Sequence, residues 1–232
     1  MIARREFLTL AGATALCAGT AHAATLKDWV AGILMAGRFG GAGIPVRHFS
    51  MDGIAMAPNA RWNDVVTADV RGAKSLPARG DITAFSLPGR GDWISRVIGL
   101  PGDRVEIRDL RVVLNGEPAV WQEAGTEEIE TPTGRRLFLL RRETLQNAPP
   151  YNIGIETELD PQINVLSDAM EVTVPDRRLY MLSDNRKNAA DSRSSDVGFV
   201  PVENVIGRIV FRMRPNSGWL VPPSSVVGLP PE

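Results

Sequence analysis

Few nitrogen bases in this 232-residue sequence could activate a nucleophile, so the histidines and lysines can be taken one by one. His22 and His48 are the two histidines. His48 stands two residues before Ser50, so a strand there would put an imidazole and a hydroxyl on one face, as a base beside a nucleophile requires. Two polar residues at a strand start are more commonly solvent-facing. Lysine is the other base to consider, and only three of the 26 basic residues are lysines: Lys27, Lys74 and Lys187. A lysine base needs apolar burial to lower its pKa. Lys27 lies in the N-terminal segment, Lys74 in the polar turn Arg71–Ser75, and Lys187 between Arg186 and Asn188. None of these contexts is apolar. The one cysteine, Cys17, allows no intramolecular disulfide and no thiolate cage. Neither a metal nor a cofactor is expected.

Those candidates must be carried by an ordinary globular chain. Its 27 acidic and 26 basic residues leave a net charge of −1, which argues against nucleic acid as a partner. With 44% hydrophobic and 23% charged residues, it is neither low-complexity nor polytopic in a membrane.

The elements begin with an address. Residues 1–23 place Arg4-Arg5 before Phe7-Leu8, then a moderately apolar run, then Ala21-His22-Ala23. That small–any–small ending suits a signal peptidase, and the paired arginines are similar to a twin-arginine export signal. The 15 residues from Phe7 to Ala21 would span roughly 22 Å as a helix, short of the ~30 Å bilayer core. Leu16 stands before Cys17 where a lipoprotein needs a small residue. Cleavage would leave a cysteine-free chain for an oxidising compartment. Residues 24–43 are expected to be a short helix and linker, with Leu26, Trp29, Val30, Ile33 and Leu34 on one face, ended by the glycines at 40, 41 and 43.

From residue 44 the pattern becomes short β-branched runs at 65–70, 81–87, 92–100, 103–109 and 111–116, separated by Pro88-Gly89, Pro101-Gly102 and Asn115-Gly116. Runs resume at 170–174, 178–182 and 204–214. A mainly β fold is predicted, an antiparallel barrel or sandwich over 44–214. A looser insertion is expected at about 117–170, with a strand-like stretch at 137–140, followed at the end by a Pro-rich tail over 215–232.

Four segments, in order, resemble blocks of the type I signal peptidases, the serine/lysine-dyad proteases that remove export signals. Phe49–Pro58 is similar to the block that presents the nucleophile as Ser-Met-x-Pro. Residues 79–85 resemble its next strand. Residues 92–107 resemble the block containing Lys-Arg-Val-Ile-Gly-Leu-Pro-Gly-Asp. Residues 179–208 resemble Gly-Asp-Asn-Arg…Asp-Ser-Arg…Gly-Phe-Val-Pro, and 141–153 looks like part of the accessory region. The resemblance implies a signal-peptidase-like β core with an inserted, smaller β-rich accessory region.

It also implies a set of reacting positions, and here the chain departs from the family. The nucleophile falls on Ala55, the serine of the oxyanion site on Gly53, the general base on Ser95, and the serine that orients the lysine on Ala189. None retains its reacting group. Met56, Pro58, Arg96, Asp184, Asn185, Arg186, Asp191, Ser192 and Arg193 are retained and implied to form the groove or its scaffold, as are turn residues such as Gly99, Gly102 and Asp103. The expected function is an exported, catalytically inactive relative that binds an extended or signal-peptide-like segment, at the periplasmic or extracytoplasmic face of a bacterial inner membrane. The alternative is an active serine endopeptidase of this type with a non-standard nucleophile, Ser50 or Ser95. Association with a membrane surface is implied because family members usually carry an N-terminal anchor.

Overall fold

The computed structural model describes residues 34–158, 165–214 and 217–228, apart from Ala36. The expected export signal, most of the expected N-terminal helix and parts of the tail lie outside those residues. The described part of that helix ends at residue 41. Gly43 (φ 64°) follows, with Ile44 N–H bonded to Phe39 O and Gly43 N–H to Gly40 O. This is a Schellman stop that needs glycine at the left-handed position.

Fifteen strands follow: β1 Val46–Ser50, β2 Val65–Asp69, β3 Ile82–Leu87, β4 Gly91–Gly99, β5 Arg104–Arg108, β6 Arg111–Leu114, β7 Glu117–Pro118, β8 Val120–Thr131, β9 Gly134–Thr144, β10 Tyr151–Glu156, β11 Ala169–Thr173, β12 Arg178–Leu182, β13 Val200–Pro201, β14 Val205–Arg214 and β15 Gly218–Trp219. The fold is mainly β. The main sheet has the order β1-β2-β14-β3-β4-β12-β13, with β15 also on β14. A second sheet is β10-β9-β8 and a third β11-β5-β6-β7. Strand alternation splits the main sheet's faces. Phe85, Leu87, Val97, Leu179 and Met181 pack together on one, and Val66, Ala68, Ile82, Ala84 and Ile209 on the other.

The polar stretch read as loose is ordered. β8 and β9 are the longest strands, at 12 and 11 residues. Their glutamates and arginines lie side by side, as in the pairs Glu123–Arg141 and Glu128–Arg135. Ile129 and Phe138 are buried against Ala57 of the loop after β1, which joins this hairpin to the site described next.

Candidate functional site

The loop from Met51 to Asp64 links β1 to β2 and is closed at its base. Met51 N–H donates to Asp64 O, and Asn63 N–H to Met51 O, both at 2.8 Å. The Asp64 carboxylate accepts from Arg61 N–H at 2.7 Å and lies 3.7 Å from Arg212. Burial raises the Asp64 pKa to about 6, against the pull of these partners. Ala55, on this loop, has its carbonyl held by Asn185 N–H at 2.9 Å. The Ala57–Pro58 peptide is cis.

The loop leans on a buried polar scaffold. Arg96, on β4, makes a two-pronged pair with Asp184, with Nε to Oδ1 and Nη2 to Oδ2 both 2.6 Å. Its third nitrogen donates to Gly80 O, and its guanidinium stacks on Tyr151 at 3.9 Å. Burial works against the Arg96 charge, but Asp184 more than offsets it and holds the pKa up. Asn59 donates to Asp184 at 2.6 Å and to Asn152 O at 2.7 Å, so the same carboxylate fixes the Met51–Asp64 loop. Arg186 pairs with Glu143, and both side chains are fully buried. Glu143 also accepts from Trp121 at 2.7 Å and Tyr151 at 2.6 Å. Burial, then the Glu143 charge, pushes the Tyr151 hydroxyl well up. Arg193 grips Asp191 at 2.8 and 2.7 Å. Ser192 accepts from Met181 N–H and donates to Gly198 O. Met56 and Pro58 are buried beside this scaffold.

A hollow of about 300 Å³ lies in front of this frame, lined on one side by Phe49–Gly53 and Ala55 and on the other by Arg90 and Asp92–Ile94. Both walls offer strand edge. β1 is the last strand of its sheet, and β12 pairs with β4 only from Arg96 onward. The unpaired N–H and C=O groups of an edge are what an added strand binds. Arg47 on β1 and Asp92 on β4 form an ion pair at 2.6 Å, tying the two walls together.

Among the expected reacting positions, Gly53 and Ala55 line the hollow; Ser95 follows Ile94 and is buried, 1% exposed. Ala189 does not line it. Ser95 sits opposite Thr83 on β3, and the register pairing Leu182 with Arg96 carries Ser183 toward its other side. The Thr83 and Ser183 hydroxyls are buried and unpartnered among the described residues. Its strand neighbours are therefore neutral hydroxyls, with no base in either place. Ser50 lines the hollow, but His48 does not pair with it; His48 Nδ1 lies 3.1 Å from Thr67 Oγ1, and burial lowers its pKa. Lys74 is exposed, and Lys187 does not line the hollow.

Sequence reasoning missed Asn59, Glu143, Tyr151 and the Arg47–Asp92 pair. Asn59 directly follows Pro58 and could have been suspected. The other partners are scattered in sequence, with Glu143 and Arg186 43 positions apart.

Comparison with known proteins agrees with this frame. A family model described as signal peptidase, peptidase S26, matches residues 25–214. Signal peptidase I of Rickettsia canadensis (strain McKiel) is 36% identical over 142 residues, covering 58% of this chain and 51% of that protein. Signal peptidase I of Rickettsia bellii (strain OSU 85-389) is 36% identical over 144 residues, covering 58% and 47%. The chain thus spans about half the length of the curated relatives it matches. A solved signal peptidase I from Enterococcus faecalis V583 has a TM-score of 0.32 and 24% identity, over 58% of this chain and 97% of that one. With the matched region running through the loop, β4 and the buried pairs, the chain belongs to the signal peptidase family, peptidase S26.

Proposed function

We propose that this protein is a non-catalytic member of its family that holds an extended, signal-peptide-like segment in the hollow between β1 and β4. The observation that carries the reading is Ala55: a methyl group stands where the family's chemistry needs a hydroxyl, on a loop still fixed by Asn185 and Asp184. Acyl transfer needs a nucleophile, a base and oxyanion donors. Ala55, Ser95 and Gly53 remove the first two and the side-chain part of the third. What remains is a slot with free strand edges and small residues on its floor, suited to a peptide with small side chains. Export through the twin-arginine-like leader of residues 1–23, its removal, and residence at the extracytoplasmic face of the inner membrane complete the proposal. No helix among the described residues is long and apolar enough to cross a membrane.

The test offers a peptide with a cleavable export signal to the purified protein and follows both retention and product. Saturable binding without product is expected. Cleavage that disappears on Ser50→Ala or Ser95→Ala would overturn the reading. A second reading, an endopeptidase with Ser50 as nucleophile, is favoured by one observation: Ser50 lines the hollow. It requires covalent labelling of Ser50 by a serine-directed phosphonate.

A further inference from the structure

The walls of the hollow beside Ala55 carry their own fastening. On β1, Arg47 stands two residues before Phe49 and so on the same face of the strand. On β4, Asp92 stands two residues before Ile94 and shares its face. Phe49 and Ile94 both line the hollow, as does Asp92 itself. The Arg47–Asp92 ion pair, with Nη2 to Oδ2 at 2.6 Å, therefore joins the two strands on the hollow's own side. The Arg47 guanidinium also lies 4.9 Å from the centre of the Phe49 ring, which holds it against the wall and away from open solvent.

The strand edges that this pair joins are the ones an added strand would use. β1 ends its sheet, and β12 pairs with β4 only from Arg96 onward. Ser50, which lines the hollow, comes three residues after Arg47, roughly 10 Å along extended β1. An extended chain that runs along β1 beyond that length has to pass between Arg47 and Asp92. The other charges of the lining leave the pair alone. Arg90 bonds Asp196 at 3.0 Å, and Asp52 is exposed to solvent. The Arg47 and Asp92 side chains are themselves 52% and 30% exposed, so water and salt screen their attraction and the contact can open and close.

Resting on the peptide-binding reading, we propose that the Arg47–Asp92 pair is an autoinhibitory latch, which holds the β1 and β4 edges together in the free protein and must open before an extended peptide can be added between them. The measured affinity is then the intrinsic affinity reduced by the fraction of molecules whose latch is open. Breaking the pair removes that reduction. Because exposed ion pairs are weak, the gain is about two- to fivefold.

The experiment uses the full chain and one fluorescent ten-residue peptide that has blocked termini, no charged side chain and the ending Ala-Ser-Ala. Arg47→Gln and Asp92→Asn are each expected to tighten binding by about two- to fivefold. The double variant is expected to match either single one, since both changes open the same contact. Exchanging the charges, Arg47→Asp with Asp92→Arg, is expected to return the affinity to that of the parent. Raising NaCl from about 0.05 to about 0.5 M should tighten binding by the parent and leave the double variant unchanged. Weaker binding in either single variant would make the pair part of the binding wall. That result, unchanged affinity in both, or a gain that persists after the charge exchange overturns the latch and leaves the peptide-binding reading intact. Absence of binding by the parent and by every opened variant overturns both.

Discussion

The two faces of the Met51–Asp64 loop differ in kind. Toward the interior, the buried charges are paired: Asp184 is shared by Arg96 and Asn59, Glu143 by Arg186, Tyr151 and Trp121, and Asp191 is gripped by Arg193. Toward the hollow stand Gly53 and Ala55, with Ser95 buried next to Ile94 of the facing wall. The asymmetry follows from energetics. Deleting one member of a buried ion pair strands the other, at about 3–5 kcal/mol. Replacing a lone hydroxyl by a methyl costs the fold little. Reacting groups can therefore disappear from such a site singly, while the frame that shaped it resists change.

That contrast can be broken at its strongest point first. Arg186→Ala should lower stability by about 3–5 kcal/mol in urea unfolding, because it leaves the Glu143 carboxylate buried without its cation. A loss below about 1 kcal/mol would mean that the interior network is no stiffer than the floor of the hollow.

The Asp64 carboxyl comes next. Its folded pKa of about 6 lies above its ordinary value of 3.8, so the folded chain holds that proton more tightly than the unfolded chain does. The resulting stabilisation is complete below about pH 3.8 and is lost as pH rises through 6, on the order of 3 kcal/mol. Asp64→Asn cannot lose a proton there. The difference in melting temperature between this variant and the parent should therefore grow in the variant's favour from pH 4 to 6.5.

Gly154 probes the junction between the two faces. A Cβ there would come 2.9 Å from Phe138 Cδ1 and 3.2 Å from the Ala57 carbonyl. Gly154→Ala should cost about 1–3 kcal/mol and weaken peptide binding, because Ala57 moves with the loop. Unchanged peptide affinity in a destabilised variant would separate the scaffold from the hollow.

The smallest effect belongs to the hollow. Ala55→Ser should leave stability within about 0.5 kcal/mol and restore no cleavage by itself. Adding Ser95→Lys should produce the first detectable product in a discontinuous peptide assay if the slot still seats substrate.

Many of the strands were legible because they are bounded by residues with one conformational use. Asn115 and Gly116 both take positive φ in the turn from β6 to β7, as the sequence pair suggests. β8, and β9 outside its stretch 137–140, were not legible, because strands that pair glutamate with arginine across a ladder lack apolar alternation. The site was half legible. The proposed reacting positions Ala55, Ser95, Gly53 and Ala189 rest on motifs that are local in sequence. Arg96 and Asp184 are 88 positions apart, and no local pattern reports that they meet, or that Asn59 joins them. Arg47 and Asp92 escaped for the same reason, since an ion pair between two strand edges exists only once the sheet has curled.

The most direct measurement combines retention and turnover in one sample: a labelled export-signal peptide titrated with the purified chain, with anisotropy read first and product separated afterwards. Saturable binding with no product over hours is the predicted result. Product that accumulates in proportion to the chain and is abolished by Ser50→Ala or Ser95→Ala would contradict it.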